Sequence, residues 1–284
     1  MQKKVLVTGA GGYIGRHVVK ALLDRGARVI AADIKFDGLD DRAVRVKADI
    51  FTENREIYKE LGEPDVCLHM AWRDGFVHNS EKHITDLDKH YMFIKNMMEG
   101  GLKQIAVMGS MHEVGYHEGA VDENTPANPL SLYGIAKNTL RQLTMLLGKN
   151  NGAVVQWIRG FYIYGDDLNS NSIFSKIVKA EQEGQKEFPF TTGKNLYDFI
   201  RIDEMADQIA AIVMQDKVDG IINCCTGVPV SLADRVEGFI KENGFQIKLK
   251  YGAFPDRPYD SPGIWGDAAK IRQIMDQERH EGKK

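Results

Sequence analysis

Apolar and polar positions along the chain alternate between two periods. Lys4–Thr8 (KVLVT) is an unbroken β-type run, and residues 13–25 bring Ile14, Val18, Ala21 and Leu22 to one face at helical spacing. Arg28–Asp33, Val44–Lys47 and 65–70 read as further strands, with a helix over 57–61 between the last two. A helix is predicted over 83–99, stopped by Gly100-Gly101. A strand over 103–108, a helix over 132–147 and a strand over 153–158 follow. Strands that are apolar throughout, alternating with helices, predict a doubly wound α/β fold whose parallel sheet is covered on both faces. Later the pattern loosens: helices at 173–183, 204–214, 233–242 and 268–275 alternate with Asn- and Gly-rich loops and short strands at Gly220–Cys224 and 246–250. The expected organisation is a main domain over 1–165 and a smaller α/β lobe over 166–284, interleaved as one compact unit, with a frayed polar tail over 277–284.

Composition narrows the class. The 284 residues are 43% apolar, enough for a sizeable core, and 27% charged with a net charge of −3, so no basic footprint for nucleic acid is present. No apolar run approaches the roughly 18 residues of a membrane span. The start, MQKKVLVTGAGG, enters a strand at once and does not read as a secretory leader. Cys67, Cys224 and Cys225 form no disulfide framework, no metal-ligand spacing is present, and a cytoplasmic location is expected.

Thr8-Gly9-Ala10-Gly11-Gly12-Tyr13-Ile14-Gly15 joins the first strand to the first helix. Glycines at 9, 12 and 15 permit a tight turn and let the backbone approach a pyrophosphate at the helix N-terminus. In this strand–helix setting the motif predicts a Rossmann-type dinucleotide site. Asp33, closing the second strand, is placed to accept both ribose hydroxyls of NAD and to repel a 2′-phosphate, although Lys35 nearby leaves NADP possible. Asp49-Ile50 fall where an adenine would lie. In His69-Met70-Ala71-Trp72 the small Ala71 would let a nicotinamide ribose pass close to the backbone, whereas His69 reads as a core histidine.

Tyr133-Gly134-Ile135-Ala136-Lys137 sets a phenol and an ammonium one helical turn apart, after a candidate N-cap at Ser131. A phenol titrates near 10 and is a poor base at neutral pH. A lysine beside it, with the positive nicotinamide ring, would lower that value and let Tyr133 exchange a proton with a substrate oxygen while hydride moves.

These motifs together resemble the extended short-chain dehydrogenase/reductase family, in particular its NAD-dependent nucleotide-sugar epimerases, dehydratases and ketoreductases, over almost the whole chain. Arg159-Gly160-Phe161-Tyr162-Ile163-Tyr164-Gly165 is similar to the family's Arg-x-x-Asn-x-Tyr-Gly stretch. Gly193 with Tyr197-Asp198-Phe199-Ile200 resembles Gly…Arg-Asp-Phe-Ile, and Arg257-Pro258 with Asp260 resembles a late segment that binds a nucleotide diphosphate. The resemblance implies a cofactor site drawn from Gly9, Gly12, Tyr13, Ile14, Gly15, Asp33, Asp49, Ile50, Met70, Ala71, Trp72, Met108, Tyr133, Lys137 and Phe161. It implies substrate contacts from Met111, His112, Tyr162, Asn171 and Arg257, and a homodimer built on the helices at 83–99 and 132–147. Two departures stand out: Tyr162 replaces the usual Asn, and Tyr197 replaces an Arg at the diphosphate, where Lys194 could restore the charge. Asn169 and Asn171 could offer amides to a sugar or phosphate, or serve turn chemistry.

The family also places a Ser or Thr at the end of the fifth strand, within "MGSMHEVGYH" (108–117). Counted as in sugar epimerases the position is Met111; counted as in uronate dehydrogenases it is Ser110. Only Ser110 carries a hydroxyl. Met111-His112-Glu113 lacks the Asp of the dehydratases, which argues against dehydration and leaves Glu113 as a structural or solvated carboxylate. The expected activity is therefore epimerisation or keto reduction of a nucleotide-linked hexose, at C4, with Ser110, Tyr133 and Lys137 as the catalytic trio. A dehydrogenase of a free sugar or uronic acid is the alternative, and a non-catalytic dinucleotide sensor a more distant one, since such relatives tend to lose the Tyr/Lys pair.

Overall fold

A computed structural model of the protein describes residues 2–165, 172–255 and 260–281. In chain order the elements are β1 (Lys4–Thr8), α1 (Tyr13–Asp24), β2 (Arg28–Asp33), β3 (Val44–Lys47), α2 (Ile57–Glu60), β4 (Val66–His69), α3 (Lys82–Thr85), α4 (Leu87–Gly100) and β5 (Gln104–Ser110). After a 3-10 turn at Met111–Glu113 come β6 (Gly119–Val121), α5 (Leu132–Asn151), β7 (Val154–Gly160), β8 (Tyr162–Tyr164), α6 (Ile173–Gln182) and β9 (Glu187–Pro189). The remainder is β10 (Leu196–Arg201), α7 (Ile202–Met214), β11 (Gly220–Cys224), β12 (Pro229–Ser231), α8 (Leu232–Glu242), β13 (Lys248–Lys250), β14 (Gly263–Gly266) and α9 (Ala269–Glu281).

Seven parallel strands form the main sheet in the order β11-β7-β5-β4-β1-β2-β3. Successive side chains of β1 enter different cores: Val5 and Val7 pack with α1 and α7, and Leu6 with the layer containing α2, α4 and α5. Burial on both faces is why these strands read as continuous apolar runs. The strand order reverses between β1 and β4, and a crevice outside the carboxyl ends of the strands opens at such a point. A second sheet, β12-β10-β14-β6 with β8 on β10, gathers strands from both halves of the chain. The residue-165 boundary is thus crossed twice: β6 joins the second sheet, and β11 completes the main one.

Three expectations need correction. The helix predicted over 83–99 is two helices, broken at Asp86 (φ −101°), whose buried carboxylate accepts from Arg73 Nε at 2.7 Å and Lys89 Nζ at 3.2 Å. The tail predicted to fray over 277–284 is helical to Glu281, where the described residues end. Glu278 holds it by accepting from Arg25 at 2.6 and 3.0 Å, and Arg25 also pairs with Asp207 of α7 at 2.8 Å. Finally, β6, β8, β9, β10, β12 and β14 were not predicted; most are three or four residues long and carry no clear alternation.

A chain of polar groups runs through the core at the switch point. Thr8 Oγ1 accepts from the amides of Met70 (3.2 Å) and Ala71 (3.3 Å), so its proton goes to His69 Nδ1 at 2.8 Å. His69 Nε2 then donates to His90 Nδ1, also at 2.8 Å. Both imidazoles are buried and neutral: burial holds His69 down at about 3 and pushes His90 down as well.

Two predictions follow from this packing. Gly134 of α5 lies against the turn after β5, and a Cβ there would run into the His112 carbonyl and Pro129. Alanine in a helix gains about 1 kcal/mol over glycine, but overpacking costs about 1–3 kcal/mol. Gly134→Ala is therefore expected to lose up to about 2 kcal/mol in urea unfolding. For the histidines, the folded values lie below the unfolded one near 6.5, so the unfolded chain binds more protons. Their contribution is full above pH 6.5 and is lost on acidification toward about 3. Calorimetry at pH 5 should find about two protons taken up on unfolding that a His69→Leu/His90→Leu double variant does not take up.

Candidate active site

The loop from β1 to α1 turns on Gly9 (φ +69°), which lies so close to the end of β4 that a Cβ would sit 2.7 Å from the Ala71 amide. A Cβ on Gly15 would strike the Gly9 carbonyl. Gly12 caps α1 in extended conformation without a side-chain cap, so the helix dipole and the first-turn amides at Tyr13, Ile14 and Gly15 point out of the loop. Asp33 at the end of β2 accepts from Gly11 N at 2.9 Å and Ile34 N at 2.6 Å, tying the ribose-side carboxylate to the glycine loop. Among the candidates for the adenine end, Asp49 is exposed and caps Phe51 N at 3.0 Å, and Ile50 is buried. A cradle that only glycine fills, an uncapped helix N-terminus and a carboxylate at the second strand fit a dinucleotide such as NAD.

Not every candidate faces that crevice with its side chain. The Tyr13 hydroxyl donates to the Gly165 carbonyl. Phe161 and Met111 are packed into the core, 5% and 6% exposed. Met108 offers its carbonyl to Lys137. Asn169, Asn171 and Arg257 lie outside the described residues.

Ser110, Tyr133 and Lys137 come together where β5 ends against α5. Ser131 caps α5 by accepting from Gly134 N at 3.2 Å, which sets Tyr133 in the first turn. The Tyr133 amide donates to the His78 carbonyl at 2.9 Å, and Leu132 N to Asn79 Oδ1 at 3.2 Å, fastening the loop after β4 to the start of the helix. Burial pushes the phenol up to about 12 against the pull of a hydrogen bond with Ser110, while the Glu113 charge adds to the rise. Of the two registers, Ser110 is the one whose hydroxyl acts on the phenol, whereas Met111 is packed into the core. The amide of His112 donates to Ser110 Oγ at 3.3 Å.

Lys137 is buried, 3% exposed. Its ammonium donates to the Met108 carbonyl at 2.6 Å and lies 5.8 Å from the centre of the Tyr133 ring. Burial holds it down at about 7, with Glu113 pulling it up. In the protein alone the Tyr133 phenol thus stands high, and Lys137 is anchored to β5 through the Met108 carbonyl.

Glu113, fully buried, accepts from Trp157 Nε1 and Arg159 Nε, both at 2.7 Å, so it is a structural carboxylate with no freedom to act as a base. Aromatic rings surround Tyr133. His78 lies parallel to it (centroids 5.5 Å apart, 12°), and His83, Trp72 and His112 meet it edge-on. His112 packs against His78 at 4.4 Å and Tyr162 at 6.3 Å; burial and the His78 charge hold it down at about 4. Tyr162 in turn contacts Tyr197 at 4.4 Å, so the two family departures touch each other. Sequence reasoning missed His78, His83 and His90. The signal for them was the crowding of five of the eight histidines between 69 and 112.

Comparison with known proteins gives this arrangement a family. Residues 5–225 match the model of the NAD dependent epimerase/dehydratase family. A dTDP-6-deoxy-L-talose 4-dehydrogenase (NAD(+)) of Aggregatibacter actinomycetemcomitans is 46% identical over 92% of this chain and 98% of its own length. Among solved structures, a UDP-N-acetylglucosamine 4-epimerase from Methanobrevibacter ruminantium M1 superposes with a TM-score of 0.84 at 22% identity, covering 96% of this chain and 92% of its own. A UDP-glucuronic acid 4-epimerase from Bacillus cereus gives 0.80 at 24%, covering 96% and 93%. The chain belongs to the NAD dependent epimerase/dehydratase family and is an enzyme of the extended short-chain dehydrogenase type.

Proposed function

We propose that the protein interconverts the hydroxyl and keto forms at C4 of a dTDP-linked 6-deoxyhexose, using NAD. The observation that carries this reading is the 46% identity to a dTDP-6-deoxy-L-talose 4-dehydrogenase across 98% of that enzyme's length. The site's geometry agrees with it. Tyr133 is the acid/base: its phenol donates a proton to a C4 keto oxygen in reduction, and its phenolate takes the C4 hydroxyl proton in oxidation. Ser110, bonded to the phenol, holds the same oxygen. Lys137, between the Met108 carbonyl and the phenol, orients the nicotinamide ribose and favours the phenolate when charged. Bound NAD would accept or return the hydride. The glycine cradle at Gly9 and Gly15, the α1 N-terminus and Asp33 would hold the dinucleotide, with Met70 and Ala71 flanking the ribose.

Residues 166–284 supply the substrate side in this reading, with Tyr162, Tyr197 and His112 forming a wall around the sugar. Glu113 is locked to Trp157 and Arg159, which weighs against water elimination. A net dehydrogenase or reductase is favoured over an epimerase by the relative's activity.

A homodimer and a cytoplasmic setting belong to the same proposal. Ile84, Ile135 and Leu146 are exposed on α3 and α5 beside a shallow apolar groove lined by Leu87, Tyr91 and Leu143. A two-fold axis would bury that stripe. Cys67, Cys224 and Cys225 are free thiols, which suits a reducing compartment. No helix among the described residues is long and apolar enough to cross a membrane.

With NAD and dTDP-6-deoxy-L-talose, NADH should accumulate in proportion to the 4-keto product. A 4-epimer formed without net NADH would replace this reading by epimerisation, and oxidation of a free uronic acid alone would remove the nucleotide from it. Tyr133→Phe should lower kcat by about a thousandfold with NAD affinity nearly intact. Ser110→Ala should cost about tenfold to a hundredfold. Leu146→Arg should convert a sedimenting dimer to monomer; a wild-type protein that already sediments as monomer removes the dimer from the proposal.

A further inference from the structure

Three buried histidines, His69, His83 and His90, play no part in the reaction as described, yet they converge on one side chain. Trp72 follows β4, where the family pattern commonly has a small residue. Its indole stacks on His90 (centroids 4.4 Å apart, 15°) and, more distantly, on His83 (6.0 Å, 22°). It also meets Tyr133 edge-on (6.0 Å) and carries the Lys137 ammonium 3.7 Å from its centre.

The hydrogen bonds fix every one of these imidazoles as neutral. An indole N–H can only donate, so His83 Nδ1, 3.1 Å from Trp72 Nε1, accepts. His83 Nε2 therefore carries the proton and donates to the Val77 carbonyl at 2.9 Å. On the other side Thr8 donates to His69, and His69 to His90, as described above. Trp72 is thus held by neutral rings, His90 against its face and His83 at its N–H edge, so no imidazolium competes with Lys137 for the indole. An ammonium at this distance over an indole is stabilised by the ring quadrupole, and more so where water is excluded.

We propose that Trp72 is a positioning residue for catalysis: its indole face, held by His83 and His90, keeps the Lys137 ammonium charged and in place beside Tyr133. The inference rests on the roles proposed for Tyr133 and Lys137. The charged and titratable groups facing the pair are Glu113 and His112 from the turn after β5, His69 from β4, His90 from α4, His83 from α3 and His78 from the loop between β4 and α3. Glu113 favours the cation from a distance while bonded to Arg159, and the Tyr133 ring lies 5.8 Å away, so after the Met108 carbonyl the indole at 3.7 Å is the closest of these partners.

The test is the pH profile of kcat/KM for oxidation of dTDP-6-deoxy-L-talose by NAD. Without the indole the ammonium is less favoured and the phenolate with it, so the acid limb moves to higher pH. Trp72→Leu should move the limb up by about one pH unit and lower kcat/KM at pH 7 by about tenfold. Trp72→Phe, which keeps a weaker π-face, should move it less. Because Trp72→Leu can fail to fold, a second measurement leaves the packing alone: biosynthetic replacement of tryptophan by mono-, di- and trifluorotryptophan, which progressively drains the π-face. A graded upward shift of the limb that vanishes in the Trp72→Phe background supports the inference and excludes Trp157 and Trp265 as its source. A limb that stays in place across the fluorinated series overturns it. The underlying reading fails separately, if Tyr133→Phe retains full turnover.

Discussion

Beneath the site, one carboxylate without water sets the terms for everything above it. Glu113 is fully buried and shared between the indole of Trp157 and the guanidinium of Arg159, with Arg159 also reaching the Asp122 carbonyl at 2.8 Å. A buried charge pair of this kind contributes little net stability, but loss of either partner leaves the other charged and unsolvated, at a cost of about 3–5 kcal/mol. The turn after β5 is therefore not free to move, and Ser110, one residue before it, is held at the end of the strand. The same negative charge raises both Lys137 and Tyr133. It opposes desolvation at the lysine and adds to it at the phenol.

Ser110, Tyr133 and Lys137 thus sit in a largely buried, aromatic environment. Around Tyr133 the neighbours are His78, His83, His112 and Trp72, and the nearest cation is half shielded by the indole. In such surroundings a single ammonium acts over several ångströms with little screening.

Much of this was legible in the sequence because the relevant signals are local. The apolar runs of β1, β2, β4, β5 and β7 come from burial on both faces. The glycine loop, Asp33 and the Tyr133/Lys137 spacing all lie within single strand–helix junctions, and Ser131 capped α5 as its position suggested. What could not be read depends on partners far along the chain. Asp86 breaks a predicted helix because its carboxylate meets Arg73. Glu113 became structural through Trp157 and Arg159. Trp72 looked like a cofactor contact, and nothing near it in sequence shows that its ring turns toward Lys137. The short strands of the second sheet were missed because three or four residues cannot display a period.

The guanidinium of Arg25 joins the end of α1 to α7 and to α9, while β11 is the last strand added to the main sheet. During synthesis the glycine loop is thus made long before the pieces that close the layers around it. The half of the chain that carries that loop cannot reach its final form as a nascent chain emerges; it waits for residues from the far half. A lesion in the last helix would therefore be felt at the end of the first, through Arg25.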